Sequence, residues 1–88
     1  MIDNARVERI RERLQQALAP TLLEIEDDSA SHAGHVGAQD GGGHFNVTIA
    51  SAAFIDQGPL QRHRLVHDAL RDLLKTDIHA LSIKALLP

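Results

Sequence analysis

Cysteine, tryptophan and tyrosine are all missing from this 88-residue chain. Without cysteine there is no disulfide, and no all-cysteine zinc or iron–sulfur site can be built from the chain alone. Phe45 and Phe54 are its only Phe, Tyr or Trp residues, so an aliphatic core is expected. No apolar run has the length of a membrane-spanning helix. The first residues, MIDNARVERIRER, do not resemble a signal peptide. A cytoplasmic protein with no membrane partner is therefore expected. A basic surplus is missing as well. Nine Lys and Arg stand against twelve Asp and Glu, for a net charge of −3 with histidine neutral. Nucleic-acid binders usually carry excess positive charge against the phosphates. Signatures of catalysis are also lacking. No Ser is visibly set against a base, and Gly41-Gly42-Gly43 leads into a strand pattern rather than opening a helix as a phosphate loop does. The chain is not expected to be an enzyme.

What is present fits a single domain over residues 1–88, near the size at which one core just suffices. Val7, Ile10, Leu14, Ala17 and Leu18 predict a helix over residues 3–19, with Asp3 or Asn4 as cap and Pro20 as stop. Its Arg and Glu residues form a solvated face. Alternation in Leu22–Asp27 predicts a strand with Leu23 and Ile25 on one side. Residues 28–43, DSASHAGHVGAQDGGG, have no periodicity. Loops of this length are usually functional or disordered. A second strand follows over residues 44–51, with Phe45, Val47 and Ile49 inward and His44, Asn46 and Thr48 outward. Asn46-Val47-Thr48 matches a glycosylation pattern but reads as strand sequence.

The strongest signal is Gly58 to Leu74, GPLQRHRLVHDALRDLL. Gly58 suits an N-cap and Pro59 the first helical position. Leu60, Val66, Leu70, Leu73 and Leu74 form one stripe of this helix. His63 falls near the centre of that stripe and reads as a core or interface histidine, and His67 lies at its edge. A last strand over residues 80–86 places Leu81, Ile83 and Ala85 on one face, with His79 in register at its open end. The order α-β-β-α-β predicts a small α+β fold. The first two strands pair antiparallel, the third follows a right-handed crossover parallel to one of them, and the helices pack on one face of the mixed three-stranded sheet.

Six histidines in 88 residues are the compositional oddity. Histidine titrates near neutral pH and is a frequent metal ligand. His79, His32, His35 and His44 are the candidates, against the plainer readings of a strand-end histidine bonded to a carbonyl and a loop that happens to be histidine-rich. An isolated zinc site is chemically conceivable, although His-x-x-His spacing alone is weak evidence.

Phe54, Gly58, Leu60, Arg62-His63-Arg64 and Ile78-His79-Ala80-Leu81-Ser82-Ile83-Lys84 resemble the BolA family, as do Glu24-Ile25-Glu26-Asp27-Asp28-Ser29 and His44-Phe45-Asn46-Val47. The resemblance covers nearly the whole chain. It implies a fold similar to the class II KH domain and a partnership with a monothiol glutaredoxin. It also implies a role in iron–sulfur cluster trafficking or iron sensing. In such a heterodimer the glutaredoxin cysteine and glutathione ligate a [2Fe-2S] cluster from one side. The BolA-like chain completes it with the histidine of the HAL motif, here His79, and a loop residue, here His32 or His35. No cofactor is expected in the isolated chain, and a weak homodimer is the other association the reading allows. The alternative implied by the resemblance is a DNA-binding regulator of morphology or stress, with Arg62, Arg64 and Lys84 as candidate contacts for a partner or nucleic acid. No GXXG lies between two helices to clamp a nucleic-acid backbone as in a KH domain.

Overall fold

The computed structural model describes residues 5–28 and 43–88. The cap candidates Asp3 and Asn4, and the loop histidines His32 and His35, lie outside the described residues. Helix α1 (Ala5–Leu18) leads into strand β1 (Leu22–Asp27). Strand β2 (Gly43–Ala50) follows, then a short 3-10 turn, Ala52–Phe54. Helices α2 (Pro59–Ala69) and α3 (Arg71–Leu74) precede strand β3 (Ile78–Leu86).

The sheet order is β1-β2-β3, with β1 antiparallel and β3 parallel to the central β2. A parallel neighbour needs a long crossover, and α2 with α3 supplies it. Phe45, Val47 and Ile49 on the inner face of β2 are buried against Ile10, Leu14 and Leu18 of α1 and Val66, Leu70 and Leu73 of the second helical segment. Leu81, Ile83 and Ala85 of β3 pack against this core, half-buried. The core is largely aliphatic, as expected, but it also takes in both phenylalanines: Phe54, at the end of the 3-10 turn, is fully buried.

Two sequence expectations change. The predicted helix from Gly58 to Leu74 is broken at Leu70, whose backbone (φ −104°, ψ 11°) leaves the helical region. Its N–H is shared between the carbonyls of Val66 and His67, at 3.1 and 3.2 Å, a tightened turn. The buried face of α2 is also rotated from the expected stripe. It carries Val66 with the half-buried Arg62, Leu65 and Ala69, while Leu60 is 63 % exposed. His63 and His67 are therefore solvent-facing, and the core-histidine reading of His63 is wrong. The long aliphatic stem of Arg62 takes a place that sequence periodicity had left to polar residues.

At one end of the sheet the chain termini of several elements are tied together. Helix α1 closes with Ala19 at φ 43°, followed by Pro20. Ser51, fully buried just after β2, donates its hydroxyl to the Leu18 carbonyl at 2.6 Å and accepts the Ala53 N–H at 3.1 Å. Its own N–H reaches the Leu86 carbonyl. The opposite end, where β2 and β3 begin, carries His44 and His79.

Candidate metal centre

The register between β2 and β3 shifts by one residue where the strands begin. Gly43 pairs with Ile78, but His44 pairs with Ala80. His79 is the extra residue, and a bulge of this kind re-aims a side chain. Ile78 points into the core and Leu81 packs beneath the sheet, while both residues between them are exposed. His79 is therefore not on the face of Leu81, Ile83 and Ala85, as regular alternation predicts. The bulge turns it outward. Ile78 and Leu81 are three apart, and two residues at odd spacing cannot share one face of a regular strand. That spacing was the sequence signal for the bulge.

The consequence is a pairing of two histidines. His44, outward on β2 as expected and half-buried, lies beside His79, with ring centroids 5.3 Å apart and planes inclined at 45°. The Asp28 N–H donates to the His44 carbonyl at 2.7 Å, holding the end of β1 against this corner. A shallow pocket of about 240 Å³ opens here between Asp28, His44, Asn46, Ala80 and Ser82. The Nε2 atom of His44 is itself buried.

Two imidazoles that ligate one metal at bond lengths of about 2 Å and near-tetrahedral angles place their ring centroids about 5 Å apart. The spacing of His44 and His79 fits that requirement. Among the described residues no group of three or more His, Asp or Glu gathers around it. A tetrahedral metal held by such a pair would need two further donors from elsewhere.

The basic candidates lie apart from this corner. Arg62 donates to the Gln57 carbonyl at 2.9 Å and the Ala85 carbonyl at 3.4 Å, which ties the start of α2 to the far end of β3. Arg64 is exposed on α2. Lys84 is exposed on the open face of the sheet, in a cross-strand row with Thr48 and Glu24. Asn46 is held in β2 and donates to Glu26 at 2.7 Å, in keeping with its reading as strand sequence.

A family model described as BolA-like protein matches residues 14–88. The chain is 46 % identical over 79 residues to BolA-like protein 1 of Mus musculus, a match covering 90 % of this chain and 56 % of that protein. It is 48 % identical over 85 residues to "SufE-like protein 1, chloroplastic/mitochondrial" of Arabidopsis thaliana, covering 91 % of this chain and 23 % of that protein. It thus spans little more than half of the mouse protein and under a quarter of the plant one. A third relative, "DNA-binding transcriptional regulator BolA" of Escherichia coli, is 37 % identical over 76 residues, covering 86 % of this chain and 70 % of that protein. Among solved structures, the BolA domain of SufE1 from Arabidopsis thaliana matches with a TM-score of 0.85 at 47 % identity, covering 99 % of this chain and 96 % of that one. From the fold, and from a family match that takes in the whole sheet and both helical segments of the crossover, the chain belongs to the BolA-like family.

Proposed function

We propose that this chain is a non-enzymatic adaptor that joins a monothiol glutaredoxin as a heterodimer and shares a bridging [2Fe-2S] cluster with it. The observation that carries the reading is the His44–His79 pair, set by a bulge at an accessible end of the sheet. The chain has no thiolate, so its contribution is imidazole nitrogen, and the partner's cysteine and glutathione supply the sulfur. When bound, the cluster provides a redox-active, transferable group, and histidine ligation in place of thiolate raises its reduction potential. His79 holds one position. The bulge aims its ring outward, and the half-buried His44 is the second candidate. His32 and His35 remain candidates for the loop ligand that the family resemblance implies. An imidazole must be neutral to bind metal, so ligation weakens as pH falls. Histidine ligands therefore suit a cluster that is sensed or handed on.

The test is a titration of cluster-loaded monothiol glutaredoxin with this protein, followed by visible absorption and circular dichroism. Wild type is compared with His79→Ala and His44→Ala. A spectral change saturating at one-to-one stoichiometry, abolished in His79→Ala, is the expected result. An unchanged spectrum with His79→Ala removes that residue from the centre, and no response to wild type removes the adaptor role.

A second reading is favoured by one observation, the 37 % identity to the Escherichia coli protein named as a DNA-binding transcriptional regulator. In it Arg64 and Lys84, both exposed, contact phosphate, and Arg62 orders the start of α2. Specific binding retained as salt is raised supports it; affinity that vanishes at moderate salt is nonspecific electrostatics and counts against it. No helix among the described residues is long and apolar enough to cross a membrane. The cytoplasm is the compartment proposed, while the plant relatives are named as chloroplastic or mitochondrial proteins.

A further inference from the structure

A bulged residue is left out of the strand ladder, so its direction is set by how firmly its neighbours are anchored. His79 is such a residue, and the anchor on its N-terminal side is Asp77. The Asp77 N–H donates to the Leu73 carbonyl at 2.8 Å, and its own carbonyl accepts the Gly43 N–H at 2.9 Å, at the edge of the bulge. Its carboxylate takes a two-pronged contact from Arg9 on α1, with Nε to Oδ2 and NH2 to Oδ1 both at 3.0 Å. The Arg6 guanidinium stands behind it at 3.7 Å. One residue thus joins α1, the end of α3 and the starts of β2 and β3. The fork geometry gives Arg9 an orienting role that a point charge lacks. The Asp77 side chain is 18 % exposed, so it is shielded from water more than an ordinary surface pair.

We propose that the Arg9–Asp77 pair is a positioning device for the metal centre: by pinning the residue before Ile78 to α1, it holds the bulge in the register that sets the His79 ring against His44. The functional consequence rests on the reading of His79 as a cluster ligand. The geometric claim does not, because the ring pairing exists in the protein alone. Neither Arg9 nor Asp77 is itself a candidate ligand. Both act through the backbone of β3.

The experiment uses the whole chain with Arg9→Leu, Asp77→Asn and the reciprocal Arg9→Asp/Asp77→Arg. Arg71→Ala, which breaks the exposed Arg71–Asp68 pair elsewhere, is the control. The first readout is the nuclear Overhauser contact between the His44 and His79 rings in the free protein, taken well below each variant's unfolding midpoint. The second is the spectrum of the complex with cluster-loaded glutaredoxin. Arg9→Leu and Asp77→Asn are expected to lose the ring contact, shift both imidazole signals and move the complex's spectrum toward that of His79→Ala. The reciprocal variant is expected to recover part of both, and Arg71→Ala to change neither. A merely structural role lowers the melting temperature without moving the ring signals. Folded variants with an intact ring contact overturn the proposal, as does absence of that contact in wild type. If Asp77→Asn does not fold, Arg9→Leu, altered at a half-exposed helix position, decides. If wild type forms no cluster complex, the adaptor reading falls while the ring contact still decides the clamp.

Discussion

Replacing Ser51 by alanine removes one oxygen from a site with no solvent access. Two bonds go with it. The Leu18 carbonyl is among the last four carbonyls of α1, which have no partner within the helix, and the Ser51 hydroxyl at 2.6 Å supplies one. A buried acceptor left without a donor costs about 1–3 kcal/mol. The cap on the Ala53 N–H is the second loss. Ala53 is exposed, so water replaces that bond and the cost falls at the low end of the capping range, about 0.5 kcal/mol. Together they amount to about 1.5–3.5 kcal/mol, a large share of the roughly 5–15 kcal/mol that holds a domain of this kind folded. In a chain of this length that is a fall in melting temperature of roughly 10–20 °C. Urea titration monitored by helical circular dichroism should show a lower midpoint with an unchanged slope. Ser51 follows β2 and His44 sits near its start, about 23 Å away along the strand. The mutant should therefore give the wild-type spectrum with cluster-loaded glutaredoxin below its melting temperature. A destabilisation under about 0.5 kcal/mol would refute the claim that the hydroxyl is an obligatory partner for the end of α1.

Other consequences can be checked at the same bench. Ala19 holds φ 43° at the C-terminus of α1; Ala19→Gly removes a left-handed strain of about 1–2 kcal/mol, partly offset by chain entropy, and should raise stability by about 0.5–1 kcal/mol in urea titration. Gly58 caps α2 with φ −73° and no side-chain bond, and an added Cβ there meets nothing within 4 Å. Gly58→Ser should therefore stabilise by about 0.5–1 kcal/mol, from a less flexible unfolded chain and a new cap on α2. In the glutaredoxin complex, the His79-dependent spectral change should diminish as pH falls and return when pH is restored, because protons compete for the ligating nitrogens. A pH-independent signal would argue against imidazole ligation.

The His pair suggests how stability and function are divided in so small a domain. Inner-face residues of β2 meet α1 and α2 in a dry core, and the far end of the sheet is locked by Ser51 and Arg62. The histidine corner relies instead on the Arg9–Asp77 ion pair, which is partly open to water, and on the backbone bonds from Gly43 to Asp77 and from Asp28 to His44. Ion pairs near the surface are screened by salt, so the geometry of the candidate centre should be more sensitive to ionic strength than the fold is.

Much of the architecture was written in local patterns. Alternation placed Leu22–Asp27 and the inward triad Phe45, Val47 and Ile49 correctly, and the stripe of Val7, Ile10, Leu14 and Leu18 with Pro20 behind it placed α1, although Ala17, read into the same stripe, is exposed. A short domain with α-β-β-α-β order has few ways to close a sheet, because a crossover helix forces a parallel pair. The histidine-rich composition and the HAL segment singled out His44 and His79, which the fold places side by side. Three things were settled by tertiary contacts. Leu70 is apolar and helix-compatible, yet the chain turns there to bring α3 under β3. His63 looks central on a helical wheel, but Arg62, anchored on the carbonyls of Gln57 and Ala85, rotates the buried face away from it. His79 keeps the expected position in the chain but not the expected direction. Period-two alternation sends it inward, and the need to bury both Ile78 and Leu81 creates a bulge that sends it outward to His44. Side-chain periodicity is a property of one strand or helix alone, whereas the register between two strands is set by what the helical layer must bury, and the histidine corner depends on that register.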